Sequence, residues 1–512
     1  MSYSRVGNLF LTGSDRALET RRLTAAYNAA SRSPDAMRNY AGTDFLSADA
    51  ALTHSTRRLI SARARNEFVN NSFAYGIVTT LANDTIGRGP QLQYGIYDDE
   101  ADAPDTALDA RLQRRERRFA AWCRAVGLTT ILRCARIAKA VDGEVFVMLS
   151  VNPGAKREVP LEVSLFEQEC VSSALLGSGV TEYWDTGHPK EVDGILYDRY
   201  GNATGYRFWR VHPGSAAGLA AADSSVVKAR NVLHYANRIR PGQHRGVSEM
   251  SAALPVFNDL RRYSTAVVLA AEVAARLSFI ISNDLPPETL DAATPRDDNG
   301  VPVSALEQDG GPVTWQQEQF NSLVLPAGYR ASQMHSEQPT ATYASFRDTK
   351  INEAARVFSM PFNVAAGNSS SYNYASGRLD HQVYHKTLLI ERDGIGDAIL
   401  DPILDAWEEF DAVNHAADYD IPAEVSHTWM WDGFEHVDPV KEANAQAARL
   451  ANGVTTLAEE CAREGRDYLA VIAQRQRELD LYRRRGLPPP PWMNAPAPTL
   501  APDGGDQPAN KE

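Results

Sequence analysis

The sequence predicts an α+β chain in which long helices are grouped around a β-rich segment. Three observations predict it. Residues 256–281 are apolar on most faces of a helix, so they need more cover than one partner helix gives. Residues 144–237 alternate at the strand period and are broken by turn residues. Two long helical stretches, 248–282 and 342–359, flank an excursion containing Pro, Gly and Asp. A third helix follows after a polar loop.

The length of 512 residues implies several sub-domains. Hydrophobic residues make up 43% and charged residues 23%, ordinary values for a chain with a sizeable core. The net charge of -13 argues against a protein whose main task is gripping nucleic acid, because gripping needs clustered Lys and Arg. It is compatible with a surface that DNA slides past. The four cysteines, Cys123, Cys134, Cys170 and Cys461, form no C-x-x-C pair and sit near no histidine at metal-ligand spacing. A reducing compartment and no zinc site are therefore expected. No secretory h-region is read in residues 1–22. The apolar stretch 266–281 is too short for a membrane span and contains Glu272 and Arg276, an i,i+4 helical ion pair in the favourable order.

The elements follow in chain order. Residues 1–45 read as a weakly patterned arm. Residues 47–86 read as helical, with Phe73, Ile77, Val78 and Leu81 on one face and Gly87, Gly89 and Pro90 as the stop. Residues 91–97 read as a strand. A helix then starts after Asp105, with the stripe Leu108, Leu112, Phe119, Trp122 and Val126, and stops at Gly127. Between the stripe positions lie Arg111, Arg114, Arg115, Arg117 and Arg118, read as a solvated face in preference to a DNA- or partner-binding patch. Residues 144–151, 161–166 and 232–235 read as strands, and 195–200 with 206–211 as a hairpin around Gly201 and Asn202. The third helix is expected over 376–407. Residues 438–486 read as three helices punctuated by Gly453, Gly465 and Gly486, after Asp438 and Pro439 as cap and first position. The proline-rich tail, 487–512, is expected to be extended or disordered.

Signals for catalysis are weak. There is no G-x-x-x-x-G-K-[ST], no G-x-S-x-G and no H-E-x-x-H. His381 and His385 share a predicted helix face, but no third ligand is in sight, so they read as ordinary helix histidines. Glu144, Glu167 and Glu169 are the carboxylates a metal-dependent DNA-processing enzyme would draw on, with no spacing that brings them together.

Five stretches in order carry a resemblance. They are Val69-Asn70-Asn71 through Asn83-Asp84-Thr85-Ile86-Gly87-Arg88-Gly89; Tyr197-Asp198-Arg199-Tyr200-Gly201 through His212-Pro213; Arg240-Pro241-Gly242-Gln243-His244-Arg245-Gly246-Val247; Met360-Pro361-Phe362 through Asn373-Tyr374-Ala375-Ser376-Gly377-Arg378; and Trp431 through Val437-Asp438-Pro439-Val440-Lys441-Glu442. With these, the chain resembles the lambda-type family of tailed-bacteriophage portal proteins over about 66–486. Ile86, Ser248 and Ala375 stand where that family more often has Val, Pro and Ser.

The resemblance implies a non-enzymatic virion protein without cofactor or metal. It implies a ring of about twelve subunits at one capsid vertex, assembled in the host cytoplasm, through which double-stranded DNA is packaged and ejected. The implied divisions are an arm (1–45), a wing (46–247), a first stem helix (248–282), a clip (283–338), a second stem helix (339–360), a tunnel loop (361–375), a long helix returning to the wing (376–437), a crown (438–486) and the tail. Implied partners are the terminase large subunit, major capsid and scaffolding proteins, and head–tail connector proteins, with no membrane. The implied DNA-facing residues are Asn368, Ser369, Ser370, Ser371, Tyr372, Asn373 and Arg378, which would touch phosphates without reading bases. Lys386 is the next cation, and an inter-subunit ion pair is the other role open to Arg378. The same fold in a defective prophage or gene-transfer particle is a further possibility.

Overall fold

The computed structural model describes residues 45–97, 106–173, 182–215, 223–276, 280–283, 329–332, 342–370, 374–421, 424–434 and 439–488. The arm, most of the expected clip and most of the tail lie outside the described residues.

The expected helix over 47–86 is one short turn, Ala48–Ala51, and two helices, α1 (His54–Asn70) and α2 (Ser72–Ile86). Asn71 makes the break. It ends α1 in extended conformation, and its Oδ1 accepts from the Phe73 and Ala74 amides at 3.1 and 3.4 Å. One asparagine thus caps the start of the next helix, which is what an Asn side chain does best. The strand β1 (Gln91–Tyr97) forms as expected.

Two helices follow, α3 (Thr106–Val126) and α4 (Leu128–Asp142). The second was not expected. Gly127, in the left-handed conformation, is a corner between two helices and not the end of helical structure. Leu128, Leu132, Ala135 and Ala140 bury one face of α4, a helical period that the nearby Arg and Lys residues obscure.

The β-rich segment holds β2 (Glu144–Val151), β3 (Leu161–Phe166), β4 (Glu191–Val192), β5 (Ile195–Tyr197), β6 (Ala203–Trp209), β7 (Ser224–Lys228) and β8 (Val232–Ala236). They make two antiparallel sheets, ordered β3-β2-β8 and β4-β5-β6-β7. The hairpin is shorter than expected because the turn takes Asp198 to Asn202. Asp198 Oδ1 accepts from the Tyr200 and Asn202 amides, both at 2.8 Å, and the register slips at Leu196/Tyr197.

The helix expected over 248–282 is shorter. A 3₁₀ turn, Glu249–Ala252, leads into α5 (Leu254–Arg276). Residues 280–283 are strand β9 (Ile280–Asn283), paired with β10 (Tyr329–Ser332). The β-branched pair Ile280 and Ile281 takes a strand partner in place of another helical turn. Then come α6 (Thr342–Val357), the short α7 (Phe362–Ala366) and α8 (Tyr374–Ile395). A π turn, Gly396–Leu400, joins α8 to α9 (Asp401–Asn414), so the third helix runs past its expected end. Strand β11 (Glu424–Met430) returns to pair antiparallel with β1. The last three helices, α10 (Pro439–Ala451), α11 (Leu457–Arg463) and α12 (Tyr468–Arg485), are separated near Gly453, Gly465 and Gly486 as expected.

Three cores result. The first lies between α3, α4, the β3-β2-β8 sheet and α9, with the Phe119 ring edge-on to Trp407 at 5.2 Å. The second gathers α1, α2, α5, α6 and α8 around Ile77, Leu81, Phe257 and Leu388. The third fills the space between the two sheets around Phe146, Tyr206 and Phe208.

Candidate functional site: a polar loop on a locked frame

The polar loop expected to face DNA is partly helical. Pro361 leads into α7, and Gly367 ends it at φ 63°. Asn368, Ser369 and Ser370 follow and are exposed. Asn368 Oδ1 accepts from the Ser370 amide at 3.0 Å, which holds the loop in a turn. Ser371, Tyr372 and Asn373 lie outside the described residues. Arg378 is exposed in the second turn of α8 and forms no ion pair among the described residues. Asn368, Ser369 and Ser370 offer hydrogen bonds at the surface without a fixed cluster of cations.

The frame behind this loop is built by side chains that sequence reading assigned to no role. Asn363 on α7 and His381 on α8 are hydrogen-bonded at 3.2 Å. His385 stacks on Phe434 at 3.9 Å. The two histidines are packing residues here, and no His, Cys, Asp or Glu joins them in a metal-holding group among the described residues. Further along α8, Arg392 donates to the Asp84 and Thr85 carbonyls, at 3.0 and 2.8 Å, and to the Asp432 carbonyl at 2.9 Å. The first two are carbonyls at the C-terminal end of α2, which have no partner within their own helix. Asp432 reaches back to the Arg88 amide, and a Cβ on Gly87 would stand 2.4 Å from its Oδ2. The N-D-T-I-G-R-G stretch is therefore a docking corner for α8 and for residues 431–434.

The Arg240 to Val247 loop has an equally structural cause. Arg245 is buried and donates to Glu144 Oε1 at 2.8 Å, to the Val171 carbonyl at 2.9 Å, to the Gln168 carbonyl at 3.1 Å and to the Asp193 carbonyl. The Gly246 amide donates to Glu144 Oε2 at 2.7 Å. A Cβ at Gly246 would fall 2.2 Å from the Gly143 carbonyl oxygen, so only glycine permits this approach. Gln243 closes the loop on itself, accepting from the Ile239 and Arg240 amides and donating to the Asn237 and Arg245 carbonyls. Ser248 Oγ accepts from the Met250 amide, capping the 3₁₀ turn that leads into α5.

Around Glu144 the charges balance. Arg57 and Arg245 face Glu144 and Asp193, two cations against two anions, with Arg57, Arg245 and Glu144 at most 3% exposed and Asp193 11%. Burial opposes ionisation of Glu144, but Arg245, His234 and Arg57 hold its carboxyl well below the usual carboxylate range. His234 Nε2 lies 2.8 Å from Glu144, and Arg238, which can only donate, meets His234 Nδ1 at 3.1 Å. The proton is therefore on Nε2, and burial lowers the pKa of the ring. Glu144 is thus fully engaged in holding the fold.

Glu167 and Glu169 do come together, with His212, close enough for three ligand atoms to lie within 4.8 Å of one another. Arg65 already neutralises them, its Nη2 lying 3.4 Å from Glu167 and 3.0 Å from Glu169, while its Nε meets Asp142 at 2.6 Å.

Apart from Arg117, which is exposed, the arginine run of α3 is engaged by partners and is neither a solvated face nor an open patch. Arg114 and Arg118 clamp Asp418 at 2.6 and 2.8 Å, and Arg118 also holds Asp411 at 2.8 Å. Arg115 pairs with Glu408 and lies 4.1 Å over the Tyr419 ring. Arg111 donates to the Asp420 carbonyl at 2.6 Å. These residues strap α3 to α9 and the loop after it. Their acidic partners lie about 300 positions away in the chain, so no local pattern announces them.

Residues 35–392 match the family model described as phage portal protein, lambda family. The probable portal protein of Halomonas phage phiHAP-1 is 23% identical over 458 residues, covering 85% of this chain and 82% of that protein. Portal protein B of Escherichia phage lambda is 36% identical over 67 residues, 13% of each chain. Among solved structures, the neck of the native gene transfer agent particle, computed with C12 symmetry, aligns at a TM-score of 0.42 and 15% identity, over 79% of this chain and 92% of that one. An HK97 family phage portal protein from Corynebacterium diphtheriae aligns at a TM-score of 0.24 and 12% identity, over 77% and 97%.

Proposed function

Because the chain belongs to the lambda family of phage portal proteins and has that family's structural role at a capsid vertex, we propose that it forms a closed ring whose channel passes double-stranded DNA during packaging and ejection. The family match over 35–392 carries this reading. In the ring, α5 and α6 serve as the stem and α7 with the loop to Tyr374 as the DNA-facing segment. The helices α10 to α12 serve as the crown. The sheets with α1 to α4 serve as the wing, and the β9–β10 excursion as the clip.

Three features support these roles. The exposed Asn368, Ser369 and Ser370 offer contacts that position DNA without reading bases. The acidic net charge of -13 keeps the duplex from being held. The balanced buried ions around Glu144 and the arginine strap on α3 fix the wing as a stiff base. The reaction that drives packaging belongs to a partner in this reading, the terminase large subunit, which docks on the clip. Head–tail connector proteins later take the same face, and capsid and scaffolding proteins meet the wing.

Native mass spectrometry and negative-stain imaging of the full-length chain test the reading. Rings of about twelve subunits with a central hole are expected. A stable monomer that cleaves DNA when a divalent metal is added would replace it with a processing enzyme built on Glu167, Glu169 and His212.

A further inference from the structure

Among the described residues, α1 and α8 each leave one face without cover. On α1, Arg57, Ser61, Ala64 and Glu67 point inward. The opposite side presents Leu59, Arg63, Asn66 and Val69, with Arg58 beside them, and Val69 is 73% exposed. Tyr75 on α2 is half-exposed, its ring stacked at 5.2 Å on Phe68, which packs toward the core. On α8, Tyr384, Leu388 and Arg392 point inward. The other side presents Leu379, Val383 and Ile390, with Lys386 among them, and Ile390 is 72% exposed. Asp393 and Asp397 continue the same side into the π turn.

The two faces complement each other. The α8 face is an apolar stripe at helical spacing, of the kind that normally marks a contact, and the α1 face sets Leu59 and Val69 beside Arg58 and Arg63. Arg58 and Arg63 on one, and Asp393 and Asp397 on the other, form no ion pair among the described residues. α2 packs against both α1 and α8, with Tyr384 donating to Asp84 at 2.9 Å on the α8 side. The exposed sides of α1 and α8 are therefore two different surfaces of the subunit. A surface complementary to a different surface of the same molecule makes a head-to-tail contact, which closes into a ring when the rotation allows.

Resting on the reading of this chain as a ring subunit, we propose that α1 of one subunit docks antiparallel on α8 of the next. Arg63 lies against Asp393, and Val69 lies between Ile390 and Val383. The spacing fits: with Arg63 opposite Asp393, the six residues to Val69 rise about 9 Å and place it between Ile390 and Val383, about 4.5 and 15 Å along α8. Arg378 and Lys386, the cations on the same α8 face, then lie toward the C-terminal end of α1, away from its arginines. Charge pairs at such a contact set orientation and reject the wrong register.

Charge reversal on the full-length chain tests the contact, read by native mass spectrometry and negative stain at one fixed concentration. Arg63→Glu and Asp393→Arg should each weaken ring formation about tenfold or more, and the double variant should recover it. The melting temperature of the dissociated subunit should not move in either single variant, because both side chains are exposed. Rings that persist in both single variants, or a double variant that stays apart, would overturn the contact while leaving the ring reading intact. A lowered subunit melting temperature would also overturn it, since the faces would then be covered by their own chain. An unmodified chain that never forms rings would remove the reading and the contact together.

Discussion

Arg245 and Glu144 form a salt bridge, with Nε 2.8 Å from Oε1, in which neither side chain is more than 2% exposed. The pair joins the loop before α5 to the first residue of β2, and Gly143 and Gly246 let the two backbones meet. Removing one partner leaves an uncompensated buried charge, a loss of about 3–5 kcal/mol. Arg245→Met is therefore expected to lower the free energy of unfolding, measured by chemical denaturation, by that amount or to yield insoluble protein. Gly246→Ala should do the same without any change of charge, because its Cβ has no room beside the Gly143 carbonyl.

The arginine strap gives a contrast within one helix. Arg118 faces Asp411, which is 1% exposed, whereas Arg117 is exposed and makes no ion pair among the described residues. Arg118→Ala should cost about 3 kcal/mol by stranding a buried carboxylate. Arg117→Ala should stay within about 0.5 kcal/mol. Retention of duplex DNA by the assembled ring should be the same for Arg117→Ala as for the unmodified chain. A large loss of DNA with unchanged stability in Arg117→Ala would restore the α3 face as a DNA-binding patch.

What was legible in the sequence were signals carried by adjacent residues. Strands 91–97, 144–151 and 161–166 show in β-branched and aromatic runs, and the three C-terminal helices in their glycine stops. What was not legible depends on partners far along the chain. Arg114 and Arg118 look solvated until Asp411 and Asp418 arrive, and Glu144 looks available until Arg245 meets it. Helix α4 and strand β11 were missed for a related reason, since charged residues interrupt the pattern of one and the other pairs only with distant β1. The motif glycines marked the likeness to a family, yet their cause, backbones in contact at Gly143 and Gly246, is visible only in three dimensions.

A pH response follows from Glu116 and Asp142. Burial pushes Glu116 up to about 7 even though it accepts from the Tyr94 amide at 2.8 Å, and burial pushes Asp142 up to about 6 against the pull of Arg65. Both folded values lie above the unfolded carboxylate range, so the folded state holds protons that the unfolded state releases. Their contribution is full below pH about 4 and is lost as pH rises through 6 and 7. Glu116→Gln keeps an acceptor for Tyr94 but cannot ionise. Denaturation at pH 5 and pH 8 should show a smaller loss of stability in Glu116→Gln than in the unmodified chain. An equal loss in both would show that Glu116 is charged at no cost in the folded state.

The polar loop separates assembly from passage of DNA. Residues 368–370 are exposed and bury no apolar surface, and α7 is tied to α8 upstream of them through Asn363 and His381. Deleting 367–373 should therefore leave the subunit melting temperature within a few degrees and leave rings intact, while DNA packaged per particle, or retained after packaging, falls. Replacing Arg378 by Gln distinguishes its two roles. A phosphate contact predicts intact rings with weaker DNA retention at low salt, an effect that disappears as salt rises. An ion pair between subunits predicts weaker rings instead. Loss of rings on deletion of the loop would move the segment from the channel wall to the subunit interface, and the DNA-facing surface would then have to be sought on the stem helices.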